Sequence, residues 1–296
     1  MPGPFARRTE HPYLVESLQD LPDHLRKLAE QALKPDDPVD TIFVMPAQSL
    51  PKNFGGRGGM HLVPERALLF TAQGVLYVQG DETPKKTGLV LYLNGDQILY
   101  ARLTLILLYG QVEFLGVEGE APKHLVVQYN SVGQDLLQPA LLRFLRSSWG
   151  KQSSSAESGE NHTDELMQTL GQVSFKLRNG LRSYALQPGE RLLGCVYQPR
   201  IMEKVLGIFP RLVAPATFLA LTEHDILLIE DGRTNSTSYG YFITFCPRSC
   251  VVGISIKINA RWQEVLIHLE NGSVTADHQV TVENAAAQAW QELWSR

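Results

Sequence analysis

The sequence is poor in the residues that most often build metal centres. Only three cysteines occur, Cys195, Cys246 and Cys250, and the eight histidines are scattered without an HExxH motif. Cys246 and Cys250 can hold part of a metal site or pair across a bend, but no second Cys or Cys/His pair follows at ligand spacing, which argues against zinc. Cysteines in strand cores or edges within a reducing cytoplasm are the preferred interpretation. The sequence therefore predicts no metal and no cofactor.

Catalytic motifs are missing as well. The glycine-rich stretch "NFGGRGGMH" at residues 53–61 is not followed by the Gly-Lys-Ser/Thr of a P-loop. His224 and Asp225 stand together in a predicted hairpin turn, where Asp is expected for turn chemistry alone. The sequence predicts a protein that is not an enzyme.

Long apolar runs and an excess of positive charge are absent too. The formal net charge is −4, and acidic residues outnumber basic residues in each half of the sequence. No basic and aromatic stripe occurs, so nucleic acid is not an expected partner. The longest aliphatic runs have strand length, and no apolar stretch follows "MPGPFARR", so neither a membrane span nor a signal peptide is expected. A cytoplasmic protein that can associate peripherally with a membrane is predicted.

One sequence pattern occurs twice in the chain. "PERALLFTAQGVLYVQGD" begins at Pro64, and "PATFLALTEHDILLIEDG" begins 151 residues later at Pro215. In each, two short apolar runs flank a polar break, which is typical of a β-hairpin. Further similar stretches recur at separations of 151 to 154 residues on both sides of the hairpin. The sequence therefore predicts an internal duplication.

The duplication defines the expected domains. "GKQSSSAESGENHTD", at residues 150–164, is polar and serine-rich, which is typical of a flexible linker. We expect a first domain at residues 1–150, a linker at 151–164 and a second domain at 165–296. Each begins with an amphipathic stretch, at residues 21–33 and 166–186. Each continues with about seven strands and a long loop after the first strand, and ends in a helix.

The terminal helices are the clearest helical segments. In "NAAAQAWQELWSR", Trp290, Leu293 and Trp294 recur at helical spacing and give one bulky apolar face. In "QDLLQPALLRFLRSSW", Pro139 fits best in the first turn, so that helix is expected to begin late. About seven strands followed by one helix predict strands that close around themselves, with the helix plugging an open end. The predicted class is mainly β (α+β).

Three stretches of the second half resemble the pleckstrin-homology-like superfold, in its bacterial PH and GRAM-like branch. They are "FLALTEHDILLIEDG", "YGYFITFCPRSCVVGISI" and "AAAQAWQELW". The resemblance covers residues 39–149 and 190–296. It implies two duplicated small β-barrels or sandwiches, each closed by a C-terminal α-helix; the short leading helices are not part of the usual pattern.

The resemblance also points to two candidate loops, because PH-like lipid binders carry basic residues in their first hairpin loop. Basic residues that flank an apolar loop can enter a membrane interface, although they can equally be ordinary solvated charges. The candidate lipid- or ligand-binding residues are Lys52, Phe54, Arg57, Arg200, Lys204, Phe209 and Arg211.

Three functions remain open. The leading hypothesis is a non-catalytic tandem scaffold that binds an unknown protein partner through strand edges or the groove beside a terminal helix. The first alternative is a peripheral module that binds anionic lipid through the first-hairpin loops. The second is an enzyme with an unrecognised site, which would need a deep pocket with converging Asp, Glu or His.

Overall fold

The protein is described here by a computed structural model that covers residues 10–51, 59–81, 88–149, 173–186, 190–205, 208–232, 240–259 and 261–295. Within these ranges the chain is mainly β, with few helices, which confirms the predicted class. No closed barrel is found among the described strands.

The strands before residue 150 are β1 (Tyr13–Val15), β2 (Val39–Met45), β3 (Gln48–Pro51), β4 (Met60–Val63), β5 (Arg66–Thr71), β6 (Gly74–Gln79), β7 (Leu89–Asn94), β8 (Ile98–Ile106), β9 (Tyr109–Glu118) and β10 (Ala121–Asn130). The later strands are β11 (Leu192–Gln198), β12 (Ile201–Val205), β13 (Phe209–Ala214), β14 (Thr217–Thr222), β15 (Asp225–Asp231), β16 (Gly240–Pro247), β17 (Val251–Ile258), β18 (Gln263–Asn271) and β19 (Val274–Val282). The α-helices are α1 (Asp23–Ala32), α2 (Gln134–Trp149), α3 (Phe175–Gly180), which a π-helical turn at Leu181–Ala185 continues, and α4 (Asn284–Trp294).

The chain divides into two compact units that are not continuous in sequence. The first unit contains residues 1–97, 107–111 and 125–151, and the second contains residues 98–106, 112–124 and 152–296. Strand β8 therefore lies in the second unit, although it precedes the expected linker. Residues 150–172 lie outside the described part of the chain, so the linker at 151–164 and the domain boundaries beside it stay predictions.

The first unit is built on a sheet of order β1-β2-β5-β6-β7. Strand β2 is apolar on both faces because helices cover both sides of the sheet. Helix α1 buries Leu25 and Ala29, one turn apart, in the same cluster as Ile42 of β2. On the other face the ring of Phe144 in α2 lies 5.2 Å from that of Phe70 in β5. Helix α2 already begins at Gln134, so Pro139 lies inside the helix and not in its first turn.

The second unit contains a sheet of order β10-β9-β8-β16-β15-β14-β11, to which β9 and β10 contribute through residues 112–118 and 121–124. A separate three-stranded sheet has the order β17-β18-β19. Helix α4 buries Trp290, which is 1% exposed and packs with Ile226 of β15 and Val265 of β18 in one apolar cluster. The Trp290 side of the predicted apolar helix face is confirmed, while Trp294 is only half-buried.

The long loops predicted after the first strand of each half contain paired strands. Strands β3 and β4 form one two-stranded sheet, and β12 and β13 form another. Both hairpins escaped the sequence analysis because their strands are short and one strand of each contains a proline, Pro51 in β3 and Pro210 in β13. These two hairpins carry the candidate loops.

Candidate functional site

The β12–β13 hairpin holds three of the predicted binding residues. Lys204 of β12 lies opposite Pro210, and Arg211 of β13 lies opposite Glu203 in the antiparallel register. Phe209 begins β13 next to the hairpin tip. Arg211 and Phe209 lie two positions apart on one face of the hairpin, whereas Lys204, opposite Pro210, lies on the other face.

The outer part of this hairpin is apolar and exposed. Ile208 is 76% exposed, Phe209 is 64% exposed and Met202, nearer the base, is 48% exposed. Side chains of this kind contribute about 1.5–3 kcal/mol each when they are fully buried, so leaving them in water forgoes that stabilisation. Several of them on one short hairpin make it a candidate binding surface.

The charge of Arg200 is engaged within the unit. Its Nη2 lies 2.9 Å from Oδ2 of Asp231, at the end of β15. Lys176 of α3 donates to the other oxygen of the same carboxylate, and its ammonium stands 5.3 Å from the ring centre of Tyr241. The basic character of the hairpin therefore rests on Lys204 and Arg211 more than on Arg200.

The candidates of the first half, Lys52, Phe54 and Arg57, lie outside the described residues. The strands that flank them are described. Met60 and Leu62, on alternate positions of β4, are 55% and 58% exposed. Sequence analysis missed both residues, as it missed Met202, although apolar side chains beside a predicted loop could have indicated them.

A buried carboxylate organises the turn between β5 and β6. Oδ1 of Asp37 accepts from the backbone N–H of Gln73 at 2.9 Å, and Oδ2 accepts from the hydroxyls of Thr71 at 2.7 Å and Tyr92 at 2.8 Å. Burial raises the pKa of Tyr92 to about 12, and the hydrogen bond to Asp37 acts in the same direction. The Asp37 contacts are structural, because they close the turn.

An open cavity of about 490 Å³ lies beside this turn. One carboxylate, Asp96, and one ammonium, Lys34, line it, without His or Cys among the lining residues. The Lys34 ammonium stands 5.6 Å from the ring centre of Tyr92. The cavity lining consists of Lys34, Ala72, Gln73, Asn94, Gly95, Asp96 and Ser148. Such a lining can hydrogen-bond a small polar molecule, but it does not pair a nucleophile with a histidine base.

The second unit holds a polar network around Arg102 of β8. The guanidinium donates through Nε to Oγ1 of Thr244 at 3.0 Å and contacts Nδ1 of His278 at 3.1 Å. Because a guanidinium can only donate, Nδ1 of His278 is the acceptor, and in the neutral ring the proton sits on Nε2. Nearby, the hydroxyl of Tyr100 donates to Glu113 at 2.8 Å, and burial together with this bond raises the pKa of Tyr100.

Burial also sets the state of other ionisable groups in the second unit. Asp225 is 6% exposed, and burial, followed by the nearby Glu190 carboxylate, raises its pKa well above the ordinary range. Burial raises the pKa of the Cys195 thiol to about 12, and it raises the pKa of Cys246 and Cys250 as well. The thiolate is the reactive form of cysteine, so these three side chains are suited to packing and not to nucleophilic chemistry.

The remaining candidate sites in the described part of the chain lie on its surface. Within the described ranges, no group of three or more His, Cys, Asp or Glu side chains is placed to hold a metal ion. None of the described helices has the length and apolar character needed to cross a bilayer. Among the described features, the exposed β12–β13 hairpin and the strands at the sheet edges are candidates for contact with a macromolecule, and the cavity beside Asp96 is a candidate for a small polar molecule. No protein-family model and no curated protein matches the chain.

Proposed function

We propose that the protein is a non-catalytic interaction module, made of two pleckstrin-homology-like copies, that binds a protein partner. The observation that carries the proposal is the exposed apolar hairpin β12–β13, with Ile208, Phe209 and Met202 in water. The buried polar side chains around Asp37 and Arg102 are instead engaged with neighbouring groups inside their units.

The proposed duplication is supported by strand registers that repeat along the chain. Residues of β2, β5, β6 and β7 correspond to residues of β11, β14, β15 and β16 that lie 151 or 153 positions later. Paired residues in the first set have counterparts that also pair in the second set. The matching pairs are Val44↔Ala67 with Tyr197↔Phe218, Arg66↔Gln79 with Thr217↔Glu230, and Gln79↔Leu89 with Glu230↔Phe242.

Local irregularities repeat at the same separations. The register of β2 shifts between Val39 and Thr41, and that of β11 shifts between Leu192 and Gly194, 153 positions later. A bulge is a specific feature of a strand pair, so a shared position favours common descent of the two sheets.

The hairpin turns are also closed in the same way. The Thr71 hydroxyl accepts from the N–H groups of Gln73 at 3.3 Å and Gly74 at 2.9 Å. The Thr222 hydroxyl accepts from the N–H groups of the two corresponding residues, at 3.2 Å and 2.9 Å. Both a strand register and a side-chain cap are thus repeated, which coincidence of composition does not explain.

The element order supports the pleckstrin-homology-like part of the proposal. In the first half, four sheet strands (β2, β5, β6 and β7) are followed by three more strands and helix α2. In the second half, β11, β14, β15 and β16 are followed by β17, β18, β19 and helix α4. This is the order expected for a domain in which two groups of strands are closed by a terminal helix.

A photo-crosslinking experiment tests the protein-binding proposal. A benzophenone amino acid placed at Phe209 should form an adduct with one discrete protein in cells. The same substitution at Phe175, which is 71% exposed on α3 of the same unit, is the matched control. The protein captured at Phe209 should then bind the purified wild-type chain. Its affinity for Phe209→Glu should be at least about tenfold lower, and its affinity for Phe175→Glu should be unchanged. Equal adducts from both positions, or none from Phe209, would contradict the proposal.

A second candidate function, binding to an anionic membrane, is favoured by the presence of Lys204 and Arg211 on the same hairpin as the exposed Ile208 and Phe209. Two basic residues near such a surface contribute about 1 kcal/mol each, which alone gives only weak binding. Insertion of the two apolar side chains would add about 1.5–3 kcal/mol each if they were fully buried.

Vesicle co-sedimentation distinguishes the membrane candidate. Phosphatidylcholine vesicles should bind little protein, and added phosphatidylserine should increase binding in a way that salt reverses. Lys204→Glu should lose this binding, whereas Lys27→Glu, at an exposed lysine of α1, should keep it. If Lys204→Glu binds phosphatidylserine vesicles as wild type does, the hairpin is not a lipid site.

A further inference from the structure

We propose that a second copy of this chain pairs edge to edge with the first, strand β7 of one molecule against strand β17 of the other. The inference rests on the proposed duplication, which makes β7 the counterpart of β16 and β17 the counterpart of β8. It goes beyond the proposed function because it assigns a partner and a register to two strand edges.

The pairing that would be reused already exists within the chain. Strands β8 and β16 are antiparallel neighbours, with Thr104 opposite Phe242 and Leu103 opposite Ile243. Strand β16 is the last of the four strands β11, β14, β15 and β16, and β8 is the first of the three strands β8, β9 and β10. Their proposed counterparts, β7 and β17, belong to different sheets, and their described residues do not pair with each other within the chain.

Both counterparts stand at sheet edges. Among the described strands, β7 has only β6 as a neighbour, and β17 has only β18. An edge strand presents main-chain N–H and C=O groups that can pair with another chain. Apolar side chains accompany them: Leu89 of β7 is 47% exposed, and Val252 and Ile258 of β17 are 61% and 80% exposed.

The internal register predicts the intermolecular one. Residues of β17 lie 151 positions after their β8 counterparts, and residues of β7 lie 153 positions before their β16 counterparts. Applied to the β8–β16 pairs, these separations place Leu89 opposite Ser255 and Val90 opposite Ile254. The paired segments are then short, about residues 88–92 and 252–256. Lys257, the charged residue of β17, lies just beyond them, 3.5 Å from Glu264 of β18. A charge of this kind, which usually protects an edge, therefore does not block the pairing.

The contact joins two different surfaces, so it is heterologous. Each added molecule offers a free β7 edge and a free β17 edge until the assembly closes on itself. A pairing of about five residues a side is smaller than a standard stable interface, so we expect association that depends strongly on protein concentration.

Disulfide trapping between separately labelled chains tests the register. Residues directly opposite each other in antiparallel strands have Cβ atoms about 4.5–5.5 Å apart, close enough for a disulfide after small adjustments. Chains with Leu89→Cys should form a covalent dimer with chains carrying Ser255→Cys under mild oxidation. Neither variant alone should do so, and wild-type protein, whose cysteines are buried or half-buried, is the blank.

The sharpest control is a pair that is out of register. Ile258 is more exposed than any other large apolar residue on β17, so random collisions would trap Leu89→Cys with Ile258→Cys at least as readily as with Ser255→Cys. The proposed register requires the Ser255 pair to exceed the Ile258 pair by about tenfold or more. Equal yields, or no dimer in the Ser255 mixture, would overturn the proposal.

Sedimentation velocity gives a second measurement. The average mass of wild-type protein should rise with concentration, and Val252→Lys should hold it at the monomer mass. Phe209→Glu should leave the rise unchanged, because the β12–β13 hairpin lies outside the paired segments. Loss of association in Val252→Lys alone supports strand pairing even if no adduct forms at Phe209. Wild-type protein that remains monomeric while Phe209 captures a partner overturns the strand pairing and leaves the proposed function standing.

Discussion

At the scale of single residues, Thr71 closes the β5–β6 turn and Thr222 closes the β14–β15 turn, but the two side chains have different hydrogen-bond partners. Thr71 is 2% exposed and donates to Asp37 at 2.7 Å, whereas Thr222 faces the carbonyl oxygen of Asp225 at 3.3 Å. Thr71→Val should therefore cost about 1.5–3 kcal/mol of unfolding free energy, because it leaves a buried carboxylate with one partner fewer. Thr222→Val should cost less. Urea unfolding measures both, with the exposed Thr275→Val as control; equal losses in all three variants would contradict this role.

Asp225 supplies a prediction for pH dependence. Its folded-state pKa is raised by burial, so the folded protein holds this proton more tightly than the unfolded chain, whose aspartates titrate near about 3.9. The stabilising contribution is therefore complete below that unfolded value and is lost as pH rises towards the raised folded pKa. Asp225→Asn cannot titrate, so the stability of wild type relative to this variant should fall as the pH rises above the unfolded value of about 3.9. Urea titrations at several pH values measure the difference, with the exposed Asp36→Asn as control; a difference that stays constant would show that Asp225 keeps its ordinary pKa.

Residue types alone identified only part of the candidate site. Lys204, Phe209 and Arg211 were predicted because basic residues flank an apolar loop at the place where pleckstrin-homology-like lipid binders carry basic residues. The engagement of Arg200 with Asp231 could not be predicted, because the two lie 31 positions apart and meet only through the packing of β15. Asp37 was missed for the same reason: its partner Thr71 is 34 positions away.

At the scale of elements, helix α4 should stabilise the second unit mainly through Trp290. The side chain is 1% exposed within an apolar cluster, so Trp290→Ala should cost about 3–5 kcal/mol of unfolding free energy. Trp294→Ala, one turn later and only half-buried, should cost clearly less. Chemical unfolding followed by circular dichroism measures both. A cost below about 1 kcal/mol for Trp290→Ala would mean that the helix contributes little to the core.

Elements with a strong local period could be predicted, and elements without one could not. Helix α1 was expected at residues 21–33 and spans Asp23–Ala32, because its apolar residues recur every three or four positions. The hairpins β3–β4 and β12–β13 were expected as loops, since their strands are only four to six residues long. The pairing of β8 with β16 joins residues more than 130 positions apart, and no local pattern encodes which two edges meet.

At the scale of the whole molecule, the β8–β16 pairing predicts how the two halves of the sequence should behave when they are separated. A cut within residues 151–164 leaves β8 in the first fragment and its neighbour β16 in the second. Each fragment would then expose a strand edge that is paired in the intact chain, together with the main-chain groups that template association. The two fragments, expressed separately as residues 1–150 and 165–296, should therefore bind each other and co-elute when mixed.

Arg102 gives this last prediction a matched control. Its guanidinium lies on β8 and contacts Thr244 of β16 and His278 of β19, so both hydrogen bonds would cross between the fragments. Arg102→Glu in the first fragment removes the donors and places a carboxylate there, which should weaken the association by about tenfold or more. Arg143→Glu, at an exposed side chain of α2, should leave it unchanged. If the unmodified fragments elute separately at micromolar concentration, or if Arg102→Glu binds as well as Arg143→Glu, the β8–β16 edge does not join the two halves.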